Sequence, residues 1–190
     1  MITEIITQIG AEITAKAAFL QANSYTSVQH MDRFAGQYQP DMEGNICEFP
    51  TPAVFFDFDF DFTDDNALSQ NGTGLLRLHI VQERYSQSFI GSQDFGIAMR
   101  TYKFVEVLNQ ILHGSQGEDY GKLQRRRYQA DKGNSILVTD IVEYTFTVTD
   151  DSTNRYANFV SNEGEGSLAI QKQLVQKIIV PVCGPNQYRP

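Results

Sequence analysis

Residues 50–62 read Pro-Thr-Pro-Ala-Val-Phe-Phe-Asp-Phe-Asp-Phe-Asp-Phe, and no other stretch limits so narrowly what this chain can become. A helix, with its 3.6-residue period, would scatter alternate phenylalanines around its circumference. An extended strand sorts them, sending Phe56, Phe58, Phe60 and Phe62 to one face and Asp57, Asp59 and Asp61 to the other. The stretch therefore reads as a β-strand with one apolar and one wetted face. The core is expected to be built on the aromatic face.

The remaining segments read as partners for that strand. Across residues 2–20, Ile2, Ile5, Ile6, Ile9, Ile13, Ala17 and Leu20 recur at spacings of three and four, which predicts an amphipathic helix. Residues 21–49 break the pattern with Asn23, Ser24, Gly36, Pro40, Gly44 and Asn45 among Tyr25, Phe34, Tyr38 and Phe49. A loop that long in a compact domain has a function or is ordered against a neighbour. Asn71-Gly72-Thr73-Gly74 reads as a tight turn, a reading preferred to the glycosylation sequon it also spells. It leads into a strand over 75–84 with Leu76, Leu78 and Ile80 on one face and Arg77, His79, Val81 and Glu83 on the other. The two strands form an antiparallel hairpin in this reading.

Helical spacing returns over 97–113, where Phe104, Val105, Leu108, Ile111 and Leu112 make a stripe and Gly114 stands ready to end the helix. A polar strand over 122–130 carries Arg125, Arg126 and Arg127, with the first and third expected to share a face. Lys132-Gly133-Asn134 turns the chain into the longest alternation, 136–149. There Ile136, Val138, Val142, Tyr144, Phe146 and Val148 lie on one face, interrupted by Asp140. Residues 150–167 read as an exposed excursion and 168–182 as a closing strand, with a helix as the alternative for 168–177. The predicted fold is α+β: a mainly antiparallel sheet with an N-terminal and a central helix packed on one face. It is divided into a domain of residues 1–150 and a C-terminal extension of 151–190.

Composition narrows the function classes. A formal net charge of -8 argues against a duplex-DNA binder that works by neutralising phosphates, though not against a surface past which DNA slides. Cys47 and Cys183 have no His or Cys at metal-ligand spacing and are expected to be free thiols in a reducing compartment. Residues 1–6 lack the basic start of a secretory signal, and no run approaches the ~20 apolar residues that span a bilayer. No membrane partner is expected.

The acid strand invites a catalytic or metal-binding reading, because alternate residues place Asp57, Asp59 and Asp61 side by side. Chitinase-like glycosidases carry a similar strand, but they require a glutamate where this chain has Thr63, and a glycine before it. An EF-hand starting at Asp59 would need Gly at Asp64 and Glu at Gln70. His30, His79 and His113 are widely separated, and no nucleophile elbow, phosphate loop or dinucleotide turn occurs. The arginine run suits pairing with acidic surface on a neighbouring copy. No catalytic, cofactor-binding or metal-binding residue is assigned.

Taken in order, the N-terminal helix, the strand led by Pro52-Ala-Val-Phe-Phe, the strand Leu75-Leu-Arg-Leu-His-Ile-Val and the helix ending Val107-Leu-Asn-Gln-Ile-Leu-His-Gly resemble the tail-terminator or tail-completion proteins of tailed bacteriophages, a head-tail connector group. The polar strand and the alternation over 136–149 complete the likeness, which covers roughly residues 1–150. The long loop 21–49 and the tail 150–190 depart from the family pattern. The resemblance implies a virion protein of the neck or tail, assembled in the bacterial host cytoplasm. It would form a homo-oligomeric ring, a hexamer or dodecamer, contacting other connector or tail proteins. Genomic DNA would pass through the lumen without sequence-specific binding, with Asp57, Asp59 and Asp61 as an acidic lining. The competing reading is a small ligand- or metal-binding module, a hydrolase among the options, using the acidic strand face.

Overall fold

The chain runs α1 (Ile2–Ala15), α2 (Ala17–Ala22), β1 (His30–Arg33), β2 (Ala53–Thr63), β3 (Gln70–Glu83), α3 (Phe95–Leu112), β4 (Gln124–Asp131) and β5 (Leu137–Asp150). The computed structural model describes residues 1–23, 25–40, 42–63, 69–83, 89–93, 95–131 and 137–151. The expected turn at 132–134, excursion at 152–167 and closing element at 168–182 lie outside them. The five strands form one sheet in the order β1-β2-β3-β5-β4. All neighbours are antiparallel except β1 and β2, which run parallel. The fold is α+β, with the principal helices on one face.

That face holds the main core. Ile5, Ile9 and Ile13 of α1 and Leu20 of α2 pack with Phe104, Val105, Leu108, Ile111 and Leu112 of α3 over Val54, Phe56, Leu76, Leu78, Ile80, Val142 and Tyr144. Side chains three and four apart on each helix share one face, so most of the predicted stripe is buried, but Ile2 is exposed and the single helix expected over 2–20 is broken at Lys16 into α1 and α2. Gln8 on α1 binds the turn before β4: its Nε2 donates to Asp119 Oδ2 at 2.6 Å, and Glu118 N donates to its Oε1 at 3.0 Å. The helix α3 is tied to the sheet by Tyr144, whose hydroxyl donates to Asn109 Oδ1 at 3.1 Å. Just beyond α3, Gly114 takes φ 84°, a conformation open to glycine without strain.

The opposite face carries a second, smaller core that the sequence did not announce. Tyr38, Ala53, Phe55 and Val81 are buried there, with Phe34, Phe49 and Leu137 packed against them. Its cover comes from Phe34, Tyr38 and Phe49 of the irregular stretch before β2, so those parts of the stretch pack on the chain's own sheet, while Met42 is fully exposed. The chain reaches this face through β1, whose four residues pair with Ala53–Phe56. Met31 packs on the helix side and Phe34 on the other, which makes β1 the crossing point from one face to the other. Residues 34–52 are the long crossover that a parallel pair needs.

Three expectations are corrected. Asn71-Gly72 is not a turn: both residues lie inside β3, opposite Thr63 and Phe62. The glycines serve close approach, because a Cβ on Gly74 would lie 2.3 Å from the Phe146 ring and one on Gly72 would lie 2.8 Å from the Phe62 ring. The phenylalanine face is not buried throughout. Phe56 is fully buried, Phe58 and Phe60 are half-buried, and Phe62 is exposed, because the helices cover only the first part of β2. Cys47 is disulfide-bonded, not the expected free thiol, and Cys183 lies outside the described residues.

Candidate functional site

The three aspartates do reach the face opposite the phenylalanines, but they do not form an open carboxylate cluster. Arg77, directly across from Asp57 on β3, projects among them. Its Nη1 donates to Asp57 Oδ2 at 3.1 Å and its Nη2 lies 2.6 Å from Asp59 Oδ2, while Nε is 3.8 Å from Glu143 Oε1 on β5. Burial pulls the guanidinium pKa down, and the hydrogen bonds it donates to Asp59 and Asp57, with their charges, more than offset it, so the net shift is upward. Arg77 thus contacts both Asp57 and Asp59. Asp61 stands apart, exposed, near the end of the strand. Among the described residues no group of three or more His, Cys, Asp or Glu is arranged to hold a metal ion.

On the other face the far half of β2 makes an aromatic ladder. Phe58 and Phe60 stack with centroids 5.8 Å apart, Phe60 and Phe62 stack at 5.9 Å, and Phe146 meets Phe58 and Phe60 edge-on. Stacks of this spacing form because same-face residues on a strand lie two positions apart. The ladder leads away from the helices to Phe62, which is 37% exposed.

The arginine run lies on β4, the outer strand at the opposite edge, and all three side chains are exposed. A register shift between Arg125 and Arg127 overturns the expectation that they share a face. Arg125 pairs with Tyr144, on the helix side, and Arg127 with Glu143, on the carboxylate side. Such a bulge leaves one residue unmatched, here Arg126, and period-two reasoning cannot see it. His113, following α3, accepts the backbone N–H of Arg125 at Nδ1 (3.1 Å) and so fixes the start of β4. His30 packs against Phe49 and Phe55. His79 is buried in the second core, its Nδ1 sharing a 2.8 Å hydrogen bond with Tyr38 Oη while Phe34 stacks on its ring at 4.1 Å. His30 and His79 thus both pack into the second core, while His113 stands apart after α3.

One polar pair lay hidden in the long alternation. Asp140 is fully buried, and Oδ1 accepts the Tyr128 hydroxyl at 2.6 Å. Burial pushes the Asp140 carboxyl up from the usual carboxylate range, with the Tyr128 hydrogen bond opposing part of the rise. Tyr128 is itself pushed up, first by burial and then by its bond to Asp140. The sequence signal was Asp140 interrupting an apolar face; its partner two strand positions away could not be named without the register. An open apolar depression lined by Ile46, Phe49, Pro50 and Leu137 adjoins the second core. Among the described residues that line it, Glu48 is the only charged one.

No protein-family model matches the chain, and no curated protein matches it.

Proposed function

We propose that this chain is a structural virion protein that forms a homo-oligomeric ring, a hexamer or dodecamer, at the head-tail junction or in the tail of a tailed bacteriophage. It joins the capsid or portal adaptor to the tail and lets DNA pass. The observation that carries the reading is the layering: α1 and α3 lie on one face of a mainly antiparallel sheet, in the element order on which the tail-terminator resemblance rests. The charge of -8 suits a channel wall to which passing DNA does not adhere. The ion pairs of Arg77 with Asp57 and Asp59 favour this reading over the competing ligand-binding one, which would use those carboxylates.

Mass photometry and negative-stain imaging of the purified chain test this directly. Rings with a central opening, or oligomers that grow with concentration, are the expected result. A strict monomer whose melting temperature rises with Ca2+ or an oligosaccharide would overturn it in favour of the binding module.

A further inference from the structure

Resting on that ring reading, we infer that the two edges of the sheet left uncovered by the described strands are the two halves of one subunit contact. In it, β4 of one copy adds antiparallel to residues 57–63 of β2 in the next. The sheet order puts these segments at opposite ends of the molecule. Along β2 the partner β1 covers only Ala53–Phe56, and the Phe34 N–H donates to Phe56 O at 2.8 Å as the last bond on that side among the described residues. Backbone groups alternate direction by two, so those of Phe58, Phe60 and Phe62 point to the same side, where no described strand pairs with them. β4 likewise has β5 on one side and no described strand on the other. An unpaired edge is a template for another strand.

Charge selects which edge meets which. Arg125, Arg126 and Arg127 are exposed and make no ion pair among the described residues. Two β4 edges would oppose arginines, and two β2 edges would oppose aspartates, so pairing of like edges is disfavoured. A basic edge on an acidic edge is a head-to-tail contact, which is the kind that closes into rings.

The faces agree as well as the edges. Arg127 lies on the carboxylate side with Asp59 and Asp61, while Arg125 and Tyr128 lie on the ladder side with Phe60 and Phe62. Tyr128 is 43% exposed and Phe62 37%, so both have surface left to bury. Direction agrees too. β2 is antiparallel to β3, β3 to β5 and β5 to β4, so a second copy in the same orientation presents β4 antiparallel to β2.

The registers place Gln124 level with Asp59 and Asp131 level with Ala53. Full overlap with 57–63 therefore staggers successive copies by about four residues, or ~13 Å at ~3.3 Å per residue. A stagger of that kind tilts the strands against the axis of a closed sheet. This assigns the aspartate strip to the boundary between subunits and not to the lumen.

Charge reversal read by native mass spectrometry and mass photometry decides the matter. Arg125→Glu with Arg127→Glu, and separately Asp59→Lys with Asp61→Lys, should each raise the concentration needed for assembly about tenfold or more. Thermal melts of each variant establish that it is folded. Mixing the two variants should restore assembly, as should one chain carrying all four changes. If the variants assemble like the wild type, or neither the mixture nor the fourfold variant recovers, the edge assignment is wrong and the ring reading stands. A wild type that is monomeric at every concentration removes both. Loss of salt-dependent DNA binding by the arginine variant, with its assembly intact, would assign β4 to nucleic acid and overturn the contact.

Discussion

The two halves of β2 obey the same alternation and have different fates. In the first half Ala53, Val54, Phe55 and Phe56 are all fully buried, because the helices cover one face and Phe34, Tyr38 and Phe49 cover the other. In the second half, alternation survives as a stacked ladder on one side and a carboxylate row on the other, and exposure rises toward Phe62. Period-two patterning therefore tells which face a side chain takes and not whether anything lies on that face. The stretch with the clearest alternation is the less buried one. The run with none, Ala-Val-Phe-Phe, is where the molecule is anchored, as expected of a strand covered on both sides.

This contrast can be broken most directly at Phe56 and Phe62. Phe56→Ala should cost about 3–5 kcal/mol in urea unfolding, whereas Phe62→Ala should cost about 0.5 kcal/mol or less. Equal losses would erase the distinction between the halves. Gly74→Val tests whether the ladder is packed or merely adjacent. The new side chain must displace the Phe146 ring, for an expected loss of about 1–3 kcal/mol with no change in the urea m-value.

On the second face, Tyr38→Phe keeps the ring and removes the hydrogen bond to His79, which should cost about 1 kcal/mol. No loss would mean that the cover over Phe55 is held by apolar contact alone.

The smallest effect belongs to Asp140, because its bond to Tyr128 offsets part of the burial. Its folded pKa lies above the unfolded value, so between the two the folded state holds the extra proton and stability falls as pH rises. Asp140→Asn removes that fall. The variant should gain stability over the wild type as pH climbs through and above the usual carboxylate range, and the gain should vanish in acid. A difference between the two proteins that is independent of pH would show that Asp140 does not titrate in this way.

These residues also mark how far the sequence could be read. Both long helices, the antiparallel pairing of the four principal strands, and the facing of Leu76, Leu78, Ile80, Val142 and Tyr144 follow from periodicity, because amphipathic elements have one way to bury their stripe. β1 was invisible: His-Met-Asp-Arg is too short to show a period, and it pairs only because the crossover delivers it to the edge. Asn71-Gly72 misled because glycine permits a turn and also permits a ring to lie flat against the backbone, and only the Phe62 and Phe146 rings decide between them. The bulge at Arg126 reversed one facing for a similar reason, since one unmatched residue shifts every later position. Among the candidate site residues, the aspartates' common face was legible. Arg77 as their neutralising partner was not, because recognising it needs the register of one strand against another.

Arg77 has a consequence for how that register is kept. Its guanidinium touches Asp57 and Asp59 on β2 and approaches Glu143 on β5, so one side chain on the middle strand senses both neighbours. A slip of β2 by one residue would carry its aspartates to the helix side and bring phenylalanines against the half-buried Arg77 guanidinium. Hydrophobic matching would oppose such a slip weakly in the open half, where half the ladder is already in water. There the alignment of three strands is checked by charge, in the part of the sheet where packing has the least authority.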